Sequence, residues 1–148
     1  MSEHTAVIRW TRETEGFAYE NYNRSHTWGF DAGITVPASA ATTYLGDADR
    51  VDPEEALVAA VSSCHMLTLL AIASKRGWVV DAYEDDAVGT LGKNDKGRLA
   101  VTRIVLRPKV AFSGEQPSEE QLEWLHTSAH RGCFIANSIT TEVVVEPS

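Results

Sequence analysis

The residues with most chemistry to offer are two thiols, Cys64 and Cys133, the only 2 cysteines in a chain of 148 residues. A pair so far apart in sequence is too small for a disulfide scaffold and fits a reducing compartment. The thiolate is the reactive form, and burial among apolar groups raises the pKa and makes a thiol inert. Free cysteine is among the most buried residue types, so the ordinary reading of Cys64 is a structural thiol. Reactivity there would need a fixed cation nearby. The residue lies well beyond the first turn of its predicted helix, out of range of the helix dipole.

His65 and His130 flank the thiols, and Cys64, His65, His130 and Cys133 could be written as a zinc set. Side chains adjacent on a helix point about 100° apart, so Cys64 and His65 do not suit one tetrahedral ion. No metal is expected. Arg24, His26 and Trp28 stand together in an irregular early segment, where Trp28 is a candidate pocket wall, whereas Trp78 and Trp124 read as core.

The elements that must position these residues follow from pattern. Asp52-Pro53-Glu54-Glu55 is a helix start: Asp can cap, Pro suits the first turn, and two carboxylates sit at the positive end of the dipole. The helix is predicted to run to Arg76 and stop at Gly77. Its apolar residues, Leu57, Val61, Leu67, Leu69, Leu70 and Ile72, fall on all sides, which predicts an enclosed helix. The stretch from Ala56 to Ala73 approaches the shortest membrane span, but Ser62, Ser63, His65 and Thr68 mark it as a buried helix.

Ala6 to Trp10 alternates, and with aromatic-rich Phe17 to Tyr22 after Gly16 it predicts a hairpin. Ile34 to Ala38 adds a short strand before a polar loop from Ala41 to Val51. Trp78 to Leu91 and Leu99 to Phe112 read as two long strands joined by the turn Gly92 to Gly97. Glu84, Asp85 and Asp86 read as a solvated strand edge, and Arg103 and Arg107 as facing water. Pro117-Ser118-Glu119-Glu120 opens a second helix to about His130, and Thr140 to Glu146 closes the chain as a strand. The order predicts a single α+β domain, 1–148, with a mainly antiparallel sheet around one long central helix.

Composition narrows the function classes. Lys plus Arg number 13 against 21 Asp plus Glu, a net charge of −8, which disfavours nucleic acid and anionic membrane as partners. At 43% hydrophobic and 23% charged the chain is neither collagenous nor disordered. Met1 to Trp10 lacks the basic start and apolar run of a signal peptide, so a cytoplasmic protein is expected.

The segment from Asp52 to His65, DPEEALVAAVSSCH, resembles the first active-site signature of the OsmC/Ohr family, the osmotically inducible and organic hydroperoxide resistance proteins. Glu54 matches the carboxylate ten residues before the Cys. Ala129-His130-Arg131-Gly132-Cys133-Phe134-Ile135-Ala136-Asn137 resembles the second signature, with one departure: Phe134 stands where the family usually has Pro. For the arginine that the family supplies from an early loop, Arg24 is the best match and Arg12 the next. The resemblance extends over nearly the whole chain in element order.

It implies an OsmC-like fold, an intertwined homodimer and thiol peroxidase activity on organic hydroperoxides. In that reading Cys64 attacks the distal peroxide oxygen, becomes a sulfenic acid and releases an alcohol, and Cys133 condenses with it into a disulfide. Arg24 would hold the thiolate by a charge-assisted hydrogen bond and Glu54 would orient the guanidinium. No metal or organic cofactor is implied; a dithiol of the dihydrolipoyl type would be the reductant. Ten residues of helix advance about 15 Å, so Glu54 is expected to serve the Cys64 site of a second chain packed about a two-fold axis. The alternative is an OsmC-like dimeric binding or structural protein without peroxidase activity, which the Phe134 departure permits.

Overall fold

Asp52 and Glu55 cap the long helix reciprocally. The Glu55 N–H donates to Asp52 Oδ1 at 2.8 Å, and the Asp52 N–H donates to Glu55 Oε1 at 3.1 Å. Pro53 occupies the first helical position between them, where its missing N–H costs nothing. The helix α1 (Pro53–Arg76) runs unbroken for 24 residues and stops at Gly77, whose φ of +79° a glycine adopts without steric cost. The computed structural model describes residues 1–148 and divides into two compact units, Met1–Ala56 and Leu57–Ser148.

In the first unit β1 (Val7–Arg9), β2 (His26–Gly29) and β3 (Thr35–Ala38) form an antiparallel sheet in chain order. Val51 returns beside Ala38 as a parallel bridge. The hairpin expected from Phe17 to Tyr22 does not form, because β1 pairs with β2 instead. Residues 17–22 turn, with the N–H groups of Asn21 and Tyr22 on the Ala18 carbonyl. Their rings cluster: Phe17 lies 4.8 Å from Tyr22 and 5.9 Å from Trp10 between centroids. Aromatic residues favour strands because strands let them pack, and here ring-on-ring packing takes that place.

The second unit carries β4 (Val79–Asp85), β5 (Val88–Lys93), β6 (Leu99–Leu106), β7 (Pro108–Ser113), α2 (Glu119–Gly132), α3 (Phe134–Asn137) and β8 (Glu142–Val145). The two long strands expected from sequence each break, giving the antiparallel pairs β4 with β7 and β5 with β6; β8 adds to β6 in parallel. The first strand breaks at Asp86-Ala87 and the second at Arg107, before Pro108, which has no N–H to give a ladder. The Arg107 N–H turns to Asp85 Oδ1 at 2.6 Å, and the other oxygen of Asp85 accepts from Ser62 Oγ. Asp85 is therefore a structural acceptor at the sheet junction and not a solvated edge residue. Arg103 and Arg107 do face water, within reach of Glu142 and Glu146.

Helix α2 opens with a second reciprocal cap between Ser118 and Gln121. Two apolar clusters lie along α1. Val61 packs with Ile104 and Leu106 of β6, while Leu69 and Ala73 pack with Trp78, Leu125 and Ala129. Gly89 of β5 admits this approach: a Cβ there would stand 2.5 Å from Val58 Cγ2. Val61, His65, Leu69 and Ala73, spaced by four, are buried, whereas Ala59, Ser63, Leu67 and Ala71 on the other side are exposed, Leu67 to 60%. The second unit thus covers one face of a helix that the sequence marks as apolar all round, because its own strands and α2 pack on that face. By length and composition α1 could cross a membrane, yet its buried stripe makes it the core helix of this unit.

Candidate active site

Cys64 lies in the middle of α1 and Cys133 at the junction of α2 and α3, and the second unit brings them together as free thiols. Cys133 is the buried member, 1% exposed, and Cys64 is half-buried. This inverts the expectation from sequence, which placed the burial penalty on Cys64. Burial pushes the Cys133 thiol up; the N–H groups of Ala136 and Ile135 pull it down, and the adjacent Cys64 thiol, as hydrogen-bond partner and charge, raises it further. The Ala136 N–H points at Cys133 Sγ from 3.5 Å, and the Sγ lies 4.0 Å from the Val61 carbonyl oxygen. Gly132 lets this corner settle on α1, since a Cβ there would come within 3.1 Å of Thr68 Cγ2.

Phe134 is the first residue of α3 and is 80% exposed. The first helical position needs no N–H donor, which is why proline suits it and why another residue can replace proline without unmaking the turn. The departure from the family pattern leaves the Cys133 corner a helical turn.

Beside the thiols stands a histidine pair that the sequence reading missed. His65 Nε2 and His126 Nδ1 are 3.1 Å apart, with ring planes 3° from parallel and centroids 5.4 Å apart. The centroid separation is the nitrogen separation plus the two ring radii, so the rings abut end to end in one plane and share a single in-line hydrogen bond. Burial, reinforced by the nearby His126 and His130, lowers the His65 pKa to about 4. Burial lowers His126 too, against the pull of Asp85. The outer nitrogens His65 Nδ1 and His126 Nε2, with His130 Nδ1, have no partner within the chain. The signal was present: Leu122, Leu125, His126 and Ala129 fall at core-facing spacing on α2.

Arg24 and Glu54 belong to the first unit. The Arg24 guanidinium donates from Nη1 to the Tyr22 carbonyl at 2.6 Å and from Nη2 to that of Tyr19, and lies 3.7 Å over the Tyr22 ring. Arg12, the fallback, donates from Nη1 to the Thr14 and Glu15 carbonyls. Glu54, in the first turn of α1, has its pKa raised by burial and by Asp52 and Glu55 beside it. Trp28 donates its indole N–H to His26.

The architecture defines the class: a long α-helix lying against antiparallel strands, with one thiol at its middle and a second at a helix corner. The family model described as OsmC-like protein matches residues 46–148. The chain belongs to the OsmC-like family. An OsmC-like protein of unknown function from Vibrio cholerae O1 biovar eltor is 52% identical over 100% of both chains, with a TM-score of 0.96. Two more distant structures share the fold. The organic hydroperoxide resistance protein of Elizabethkingia anophelis is 17% identical, covers 99% of this chain and 95% of its own, and has a TM-score of 0.69. OhrB, the organic hydroperoxide resistance protein of Bacillus subtilis, is 17% identical, with 97% and 98% covered and a TM-score of 0.68. No curated protein matches the chain by sequence.

Proposed function

We propose that the protein is a cysteine-based peroxidase that reduces organic hydroperoxides to alcohols. The observation that carries this reading is the direct neighbourhood of the two thiols, the buried Cys133 against the half-buried Cys64. The accessible thiolate of Cys64 attacks the distal peroxide oxygen; the O–O bond breaks, a proton goes to the leaving alkoxide, and Cys64 becomes a sulfenic acid. Cys133 then attacks the Cys64 sulfur and water leaves, its hydroxyl from the sulfenic acid and its proton from the Cys133 thiol. Burial and the adjacent Cys64 raise the Cys133 thiol, which supports Cys64 as the first of the two to react.

Arg24 is the cation proposed for the Cys64 thiolate, and Glu54 its orienting carboxylate. Glu54 sits between two acidic neighbours that raise its pKa, so a guanidinium from elsewhere would be well received. In the proposed homodimer that pairing crosses the two-fold axis, and the exposed Ala59, Ser63, Leu67 and Ala71 face of α1 meets its copy. The homodimer, a cytoplasmic setting and a dihydrolipoyl-type reductant complete the proposal. Residues 1–148 are read as one OsmC-like domain, supported by a Vibrio cholerae relative that matches over its whole length.

A second reading, an OsmC-like dimeric binding protein without peroxidase activity, draws on one observation: two donors of the Arg24 guanidinium are already on the carbonyls of its own turn. Intact mass after one equivalent of a bulky alkyl hydroperoxide separates the two. The peroxidase loses two hydrogens as the disulfide forms, and Cys133→Ser stops at a sulfenic acid that dimedone traps. An unchanged mass, with no trapped sulfenic acid, selects the binding protein.

A further inference from the structure

His26, two residues beyond Arg24, is bonded at three points. Its Nδ1 lies 2.8 Å from the Arg24 carbonyl oxygen, its Nε2 lies 3.0 Å from the Trp28 indole nitrogen, and its own carbonyl accepts from Arg50 at 3.0 Å. His26 and Trp28 share one face of β2, which lets the ring reach both partners. An indole N–H only donates and a carbonyl only accepts. The hydrogen-bond inventory therefore assigns one state: a neutral imidazole, bare at Nε2 and protonated at Nδ1. An imidazolium would set two N–H groups against each other at Trp28. The other neutral tautomer would do the same and would also face the Arg24 carbonyl with a lone pair.

Arg24 is thus held at both ends. Its guanidinium rests on the Tyr19 and Tyr22 carbonyls and over both tyrosine rings, at 4.9 and 3.7 Å. Its backbone is held by His26. We propose that His26 is a positioning residue for Arg24: its Nδ1–H fixes the Arg24 carbonyl, and Trp28 locks the tautomer that makes this possible. The inference rests on the peroxidase reading, from which Arg24 takes its role.

The test is the second-order rate constant for Cys64 oxidation by an alkyl hydroperoxide in Arg24→Ala, His26→Phe, His26→Asn and the double variant Arg24→Ala/His26→Phe, with imidazole 15N spectra of the unaltered protein. His26→Phe is expected to slow oxidation about tenfold, the net worth of one neutral hydrogen bond carried into the barrier. His26→Asn, whose amide N–H can stand in for Nδ1–H, should restore most of the rate, and the double variant should be no slower than Arg24→Ala alone. The 15N spectrum should show the Nδ1-protonated tautomer.

His26→Phe at the full rate while Arg24→Ala is slow overturns the positioning role and leaves the peroxidase standing. A ring protonated at Nε2, an Asn variant as slow as Phe, or a double variant slowed by both full factors overturns it as well. Arg24→Ala at the full rate removes Arg24 from the site, and this inference with it, while disulfide formation still reports on the peroxidase.

Discussion

His65 and His126 share one in-line hydrogen bond, Nε2 to Nδ1 at 3.1 Å, inside the second unit between α1 and α2. A neutral pair fits there and a charged one does not. The unfolded chain takes up a proton at His65 near the ordinary histidine value of 6.5 and the folded chain only at about 4. Stability is therefore fully present above the unfolded value and is lost as pH falls through the window between them, by roughly 3 kcal/mol for His65 alone. His126 contributes with the same sign. Urea midpoints followed by tryptophan fluorescence at fixed protein concentration should fall steeply from pH 6.5 to 4 and less steeply in His65→Gln; a flat profile refutes the assignment.

Arg24→Ala is expected to slow Cys64 oxidation by two orders of magnitude or more, on the order of 3 kcal/mol if the guanidinium is the thiolate's charge-assisted partner. Arg24→Lys should recover only part, since an ammonium keeps the charge and loses the fork. Stopped-flow oxidation with an alkyl hydroperoxide checks both; full rates in both variants contradict the role.

Leu67→Asp places a charge on the exposed face of α1. Light scattering at micromolar concentration should give a dimer for the unaltered chain and a monomer for the variant. A monomer mass for the unaltered chain refutes the paired-helix arrangement.

Gly89→Ala should destabilise the fold by about 1–3 kcal/mol, the usual cost of overpacking, since its Cβ would press on Val58 at 2.5 Å. Val58→Ala in the same chain should recover part of the loss, because the two residues share one contact. A Gly89→Ala midpoint equal to the original would show that β5 yields freely.

The boundaries of α1 were legible because both are written in backbone chemistry: a cap and a proline at one end, a glycine at the other. The start of α2 was legible for the same reason, through Ser118. The breaks in the long strands were not, because Pro108 can open a strand as well as interrupt one, and only the Asp85 carboxylate on the Arg107 N–H makes it a junction. Phe17 to Tyr22 misled because aromatic content signals packing, and packing was found without a sheet. At the site the thiols could be named from motif spacing, but their relative burial depends on which face of α1 the chain covers. That face is set by long-range contacts with β6 and α2. His65 and His126 belong to different helices, and a bond between residues 61 positions apart leaves no local trace.

The two apolar clusters along α1 are separated by a polar band at Ser62 and His65, and the thiols sit at that joint. Hydrogen bonds from Ser62 to Asp85 and between the buried His65 and His126 hold that band, where apolar packing holds the helix on either side. In the proposed peroxidase the Cys64–Cys133 disulfide would form and open at that joint, with one apolar cluster packed on either side of it.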